Sequence, residues 1–81
     1  MTNIQYNGGY VMSSHLLTPR EKQIFEMLIK NDNTNEIALK LNISEKTVRN
    51  HISNVICKLG VSSRTQAILE LLKYNILKLD K

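Results

Sequence analysis

The residues with the most distinctive chemistry lie between residues 44 and 59, where basic and amide side chains recur at helical spacing. With Val48 pointing inward, a period of about 100° per residue directs a polar set outward, flanked by Arg49 and Asn54. This set is Lys46, Asn50, Ser53 and Cys57. Arg can fork onto guanine O6 and N7, Asn can pair with adenine N6 and N7, and a short Ser permits close approach. The face therefore predicts contact with the base edges of a duplex nucleic acid.

The positive charge of the chain is concentrated on the same segment. The chain has 11 Lys and Arg against 7 Asp and Glu, a formal net charge of +4. Residues 44–64 carry four bases and one acid, whereas residues 18–43 carry four of each. The one acid, Glu45, is expected near the apolar edge of the first turn, where it favours the helix dipole. This distribution indicates a polyanion-binding surface, with solvation of an exposed helix as the alternative.

Two capping boxes predict the first two helices that position this face. Thr18, followed by Pro19 and Glu21, begins a helix over roughly residues 19–30. Asn33 and Glu36 begin a short second helix that ends near residue 41. In both segments the apolar residues recur every three to four positions, as in an amphipathic helix.

Two further helices follow. Ser44 caps the third helix, and Gly60 is suited to the left-handed residue that ends it. Ser63 and Gln66 predict a third capping box, which begins a fourth helix that runs to about Tyr74. No segment alternates with the period of two that is typical of strands. The predicted fold is therefore all-α, with four helices.

The second and third helices form a candidate helix-turn-helix over about residues 34–53. Residues 42–44 are a very short connection, which forces the two helices into contact at a steep angle. Ala38 is small enough to permit that approach. In proteins with this unit, the second helix inserts into a groove of the duplex.

The fourth helix is more apolar than a monomer requires. Its apolar side chains cover an arc of roughly 220°, against a stripe of about 100° for a surface helix. They are Ala67, Ile68, Leu69, Leu71, Leu72, Tyr74 and Ile76. A second copy of the chain could cover the surplus through a symmetric helix–helix contact. The alternative is that the N-terminal arm covers it.

The remaining features exclude several classes of protein. Residues 1–16 are predicted to be a flexible arm before a domain at 17–81, because residues 1–15 contain no charged side chain and no helical period. A single cysteine, Cys57, forms no intramolecular disulfide and is interpreted as a small filler rather than a redox site. Ser13, Ser14 and His15 lack the positioned acid that catalysis needs. With no apolar run or signal sequence, we expect a cytoplasmic, non-enzymatic protein without metal, cofactor or small-molecule ligand.

The chain resembles a known family over roughly residues 17–77. The segments LTPREKQIFEMLIK and NEIALKLNISEKTVRNHISNVICKLGVSSRTQAILELL are similar to the LuxR/GerE-type DNA-binding domain of bacterial transcription regulators. The resemblance implies a tetrahelical module of the winged-helix-like superfamily, without a wing. It also implies a homodimer on duplex DNA, with the third helix in the major groove and the fourth at the dimer contact.

The resemblance assigns roles to individual side chains. Three positions correspond to base-reading residues: Arg49, Asn50 and Ser53. Four correspond to contacts with the DNA backbone: Lys46, Thr47, Asn54 and Lys58. Four on or after the fourth helix correspond to the dimer contact: Leu69, Leu72, Lys73 and Ile76. His51 borders the core, so we expect it to pack and orient the helix, with a phosphate contact as the alternative.

The expected function is a sequence-specific transcription regulator, with RNA polymerase as a further partner. No sensor domain is visible, so the resemblance implies either a stand-alone member of the sporulation type or a fragment of a longer protein, and the initial Met favours the first. One alternative is the promoter-reading region of a sigma factor, which also follows an LTPRE-like opening with a helix-turn-helix. The other is a protein-interaction module that uses the apolar fourth helix and the basic face.

Overall fold

A computed structural model describes residues 16–79 and places four helices in them. These are α1 (Pro19–Ile29), α2 (Thr34–Leu41), α3 (Glu45–Leu59) and α4 (Arg64–Lys73). No strand occurs between residues 16 and 79. The predicted all-α, four-helix fold is thereby confirmed. Except for Leu16, the predicted N-terminal arm lies outside the described residues.

Helix α3 lies at the centre of the fold, because it packs against α1, α2 and α4. Its inward side chains Val48, Ile52 and Val55 are at most 3% exposed. They join one apolar core with residues from the other helices and from the segment after α4. These are Ile24, Phe25, Ile37, Ala38, Ala67, Leu71 and Leu77. Burial of a large apolar side chain contributes about 1.5–3 kcal/mol, so this cluster fixes the position of α3.

The first two capping boxes form as predicted. At the start of α1, Thr18 Oγ1 accepts from the Glu21 amide at 3.1 Å, and Glu21 Oε1 accepts from the Thr18 amide at 2.9 Å. At the start of α2, the amides of Asn33 and Glu36 donate to each other's side chains, both at 2.8 Å. Each pair satisfies two amides that have no partner within the helix.

The third capping box is only half formed, so that prediction was wrong in part. The Ser63 hydroxyl accepts from the Gln66 amide at 3.1 Å, as an N-cap does. The Gln66 side chain does not return to Ser63 and instead accepts from the amide and the hydroxyl of Ser62, at 2.9 and 2.8 Å. Ser62 therefore offers two donors to Gln66, whereas the amide of Ser63 would offer one.

Helix α4 ends at Lys73 with Tyr74 as its C-cap, close to the predicted end near Tyr74, but Ile76 does not lie on the helix as its apolar arc predicted. Asn75 adopts a left-handed conformation with φ 63°, which Asn tolerates better than most residues. The amides of Ile76 and Leu77 then donate to the Leu71 carbonyl, at 2.9 and 3.1 Å. Leu77 is consequently 1% exposed, and Ile76 lies beyond the helix rather than on its predicted arc.

Candidate nucleic-acid interface

The turn between α2 and α3 is held by local hydrogen bonds. Asn42 ends α2 in the left-handed region with φ 58°, and the Ile43 amide donates to the Ala38 carbonyl at 3.0 Å. Ser44 then caps α3 by accepting from the Thr47 amide at 3.0 Å. Ala38 is 6% exposed and lies in the core that α2 and α3 share. The predicted helix-turn-helix is therefore present, and its turn has a defined geometry.

The face of α3 opposite the core is polar and exposed. It carries the three predicted base-reading residues and two of the four predicted backbone contacts. The exposed side chains are Lys46, Arg49, Asn50, Ser53, Asn54 and Cys57. Thr47 differs from these because it is half-buried and its hydroxyl lies 2.9 Å from that of Ser44. The structure thus places the three predicted base-reading side chains on one accessible surface.

Arg49 is paired with Glu45 one turn earlier on α3. Arg49 Nη1 donates to Glu45 Oε1 at 3.2 Å, and Asn35 Nδ2 of α2 donates to Glu45 Oε2 at 2.9 Å. The hydrogen bond from Asn35 and the proximity of Arg49 outweigh the opposing effect of burial and lower the pKa of Glu45. Glu45 is therefore held as a carboxylate between two helices and in contact with Arg49 on the exposed polar face of α3, rather than serving only the helix dipole.

Lys58, predicted to contact the DNA backbone, is engaged within the protein. Its ammonium group donates to Glu21 Oε1 at 2.5 Å and to the Leu16 carbonyl at 3.2 Å. The Glu21 side chain is 4% exposed, and the Lys58 side chain is 35% exposed. This ion pair joins the start of α1 to the last turn of α3. Because an ammonium group has three donors, a phosphate contact through the third stays a prediction.

Glu21 has a perturbed pKa because opposing effects meet at its carboxyl group. Burial raises this pKa, but hydrogen bonds from Lys58 and Thr18 and the charges of Lys58 and His51 lower it, and the net pKa is lowered. His51 itself is half-buried on α3. Partial burial agrees with the predicted packing role, and the phosphate contact stays the alternative prediction.

The surface of α4 is partly used within the monomer. Ala67 and Leu71 are fully buried, and Ile68, Leu72 and Ile76 pack partly against the core. Two large side chains remain open to solvent, Leu69 at 59% and Tyr74 at 54% exposed. The ammonium group of Lys73 lies 5.6 Å from the centre of the Tyr74 ring. The exposed apolar surface of α4 is thus smaller than the sequence predicted, and Leu69 and Tyr74 contribute its large exposed side chains.

Sequence reasoning missed Asn35 and Glu21 as residues that support the candidate interface. The i,i+4 spacing of Glu45 and Arg49 could have predicted their pairing. The contacts of Asn35 with Glu45 and of Glu21 with Lys58 join different helices, and no local pattern predicts them.

Residues 16–79 contain no group of three or more His, Cys, Asp or Glu side chains placed to hold a metal ion. None of the four helices is long and apolar enough to cross a membrane.

A helix-turn-helix whose second helix exposes basic and amide side chains defines a DNA-binding protein. The family model for bacterial regulatory proteins of the luxR family matches residues 15–71. The chain therefore belongs to the luxR family of bacterial regulatory proteins, and the resemblance seen in the sequence is confirmed. It has the DNA-binding domain of a transcription regulator.

Individual relatives agree with this assignment. The spore germination protein GerE of Bacillus subtilis (strain 168) is 57% identical over 67 residues, which cover 83% of this chain and 90% of that protein. A solved structure of the transcription factor GerE has 62% identity and a TM-score of 0.78, over 80% of this chain and 97% of that one. The transcriptional regulatory protein DegU of Brevibacillus brevis is 41% identical over 64 residues, 79% of this chain but 27% of that longer protein.

Proposed function

We propose that the protein is a sequence-specific transcription regulator that binds duplex DNA as a homodimer. Helix α3 enters the major groove, and α4 forms the dimer contact. The observation that carries this proposal is the exposed polar face of α3, on a fold that belongs to a family of DNA-binding regulators. An α-helix fits the width of the major groove, where each base pair presents a distinct pattern of donors and acceptors.

The side chains of α3 divide into two functional groups in this proposal. Arg49, Asn50 and Ser53 read base edges, and each good bidentate contact discriminates against the wrong base by about 1–3 kcal/mol. The second group positions the helix on phosphates without reading sequence. It consists of Lys46, Thr47, Asn54 and Lys58.

The dimer contact is proposed to centre on Leu69, with Leu72, Lys73 and Ile76 around it. Leu69 is exposed in the monomer, whereas Leu72 and Ile76 are only partly buried against the core. In a symmetric contact the same patch occurs on both copies, so each contact between the two copies is made twice.

The relatives support a more specific setting. The name of the Bacillus subtilis relative, spore germination protein GerE, supports a role in sporulation for the proposed regulator. A non-enzymatic regulator of this kind would work in the bacterial cytoplasm, on the nucleoid, and would affect RNA polymerase at the promoter.

Selection of bound sites from a random duplex pool, repeated at two salt concentrations, tests the proposal. We expect enrichment of inverted half-sites about 10–10.5 base pairs apart, or a multiple of this spacing. Binding should weaken as salt rises, because Lys and Arg release counterions from phosphates. No enrichment above background would refute sequence-specific binding and favour a protein-interaction module.

A charge placed in the proposed dimer contact tests the role of α4. Leu69→Glu should lower the solution mass to that of a monomer and weaken binding to paired half-sites. Leu39→Glu is a matched control, because Leu39 is 74% exposed and lies on α2. Equal effects of the two substitutions on the sedimentation profile would contradict the assigned contact.

A further inference from the structure

One carboxylate makes contacts that connect the start of α2 with the proposed base-reading side chain. Glu45 accepts from Asn35 Nδ2 at 2.9 Å through Oε2 and from Arg49 Nη1 at 3.2 Å through Oε1. The side chains of Arg49 and Glu45 are 57% and 40% exposed. An exposed ion pair of this kind contributes little to stability, so its main effect is on the placement of Arg49.

The contact with Glu45 leaves most of the guanidinium group available. Arginine has five N–H donors in a fixed planar fork, and the bond to Glu45 Oε1 uses one of them. The remaining donors can still form the two parallel bonds that guanine O6 and N7 accept. Asn35 in turn limits the movement of the Glu45 carboxylate, because it anchors that carboxylate to a second helix.

We propose that Glu45, anchored by Asn35, is a positioning residue that increases base specificity by orienting Arg49 and weakening its attraction to phosphates. This inference rests on the proposed function, in which Arg49 reads a base. Orientation reduces the entropy that Arg49 loses when it meets its base, which amounts to about a 2- to 10-fold effect on binding for one flexible side chain. The negative charge of Glu45 also opposes generic binding, because phosphates repel it.

These two effects predict that removal of the Glu45 charge lowers base selectivity but does not lower the affinity for random-sequence DNA. Glu45→Gln should reduce the preference for the selected site over single-base variants at the Arg49 position by about 2- to 10-fold. The same variant should bind random-sequence DNA as tightly as the parent or more tightly, because one repulsive charge is lost. A merely structural role of Glu45 would weaken binding to both kinds of DNA together.

Competition binding with the full chain separates these outcomes. The probes are the selected duplex, its single-base variants and a random-sequence duplex. Glu26→Gln is the matched control, because it removes the same charge from an exposed position on α1. A selectivity ratio that is unchanged in Glu45→Gln, or that falls equally in Glu26→Gln, would overturn the proposal.

A second variant tests the same inference without changing the charge. Asn35→Ala should lower selectivity at the Arg49 position in the same direction as Glu45→Gln and by a smaller factor, because the ion pair itself is kept. In the double variant the two losses should not multiply, since Asn35 acts through Glu45. Fully multiplicative losses would show that Asn35 and Glu45 act independently, which contradicts the proposal.

The same competition assay on the parent protein and on Arg49→Ala distinguishes failure of the positioning role from failure of the proposed function. If the parent shows no sequence preference, the proposed function is wrong, and the inference falls with it. If the parent is selective and Arg49→Ala loses that preference while Glu45→Gln keeps it, only the positioning role is refuted.

Discussion

Replacing Lys58 with Met should destabilise the fold at neutral pH, because it leaves a buried carboxylate without its cation. Met keeps much of the apolar stem of Lys58 and removes the ammonium group that bonds to Glu21 and Leu16. Glu21, with its side chain 4% exposed, would retain the hydrogen bond from the Thr18 amide. The substitution thus tests the ion pair between α1 and α3 without DNA.

The contacts of this pair set the expected magnitude. Breaking a fully buried ion pair costs about 3–5 kcal/mol, and leaving a buried polar group without a partner costs about 1–3 kcal/mol. Because the Lys58 side chain is 35% exposed, water offsets part of the loss, and we expect the lower range, about 1–3 kcal/mol. For a domain of this size each kcal/mol lowers the melting temperature by about 4–8 °C.

The pH dependence provides a second test. The folded-state pKa of Glu21 is lowered below its ordinary value of 4.5, so its stabilising contribution is present above that value and is lost as pH falls through the folded pKa. In Lys58→Met, burial without the ammonium group should raise the pKa, and protonation would then relieve the penalty. The difference in unfolding free energy between parent and variant should therefore shrink between about pH 7 and about pH 3.5.

Urea denaturation over this pH range measures both effects. Lys22→Met is the control, because it removes an equal charge from an exposed position on α1. A loss below about 0.5 kcal/mol at neutral pH, the usual range for surface substitutions, would refute the assigned role of the pair. A loss that is the same in acid would refute the dependence on Glu21 ionisation.

Three further changes test the parts of the fold that hold α3 in place. Ala38→Leu should destabilise the domain by about 1–3 kcal/mol through overpacking, measured by urea denaturation; unchanged stability would contradict the close approach of α2 and α3. Gly60→Ala should lower the free energy of unfolding by about 1 kcal/mol, because φ at this position is 69°. No further cost is expected, since nothing lies within 4 Å of an added Cβ. A thermal shift larger than that of Ala38→Leu would contradict this prediction. Asn33→Ala should lower the thermal midpoint by the equivalent of about 1 kcal/mol, whereas Asn33→Ser should restore most of it; no difference between them would contradict the capping role.

The helix limits could be predicted because local contacts determine them. The boxes at Thr18 and Asn33 join residues three positions apart, and Gly60 takes the left-handed conformation that ends α3. Such contacts depend on the residue types at fixed spacings and hardly on the rest of the fold. The sequence therefore carried enough information for the beginnings of α1 and α2 and for the end of α3.

The predictions for the third capping box and for Ile76 were wrong because the chain has two alternative arrangements at each place. The side chain of Gln66 could bond to Ser63 or to Ser62, and both are within reach. Ile76 would extend α4 if Asn75 were helical, but the turn at Asn75 lets Leu77 enter the core. Burial of Leu77 is a tertiary effect, which the periodicity of the fourth helix does not contain.

In the candidate interface, too, local geometry could be predicted from the sequence, whereas tertiary contacts could not. The outward direction of Arg49, Asn50 and Ser53 follows from helical geometry alone, and the structure places all three on the exposed face. The pair of Glu21 with Lys58 joins positions 37 residues apart. It depends on how α1 lies against α3, so the sequence pattern could not predict it.

The central position of α3 has a consequence for how new operators could be acquired. Val48, Ile52 and Val55 belong to the core shared by all four helices, so a change at any of them must be compensated elsewhere. Asn50 and Ser53 are exposed on the opposite side, and most surface substitutions alter stability by less than about 0.5 kcal/mol. Under the proposed function, single substitutions at these exposed positions change the DNA site and leave the core intact, whereas moving all of α3 into a related protein also transfers its core-facing side chains.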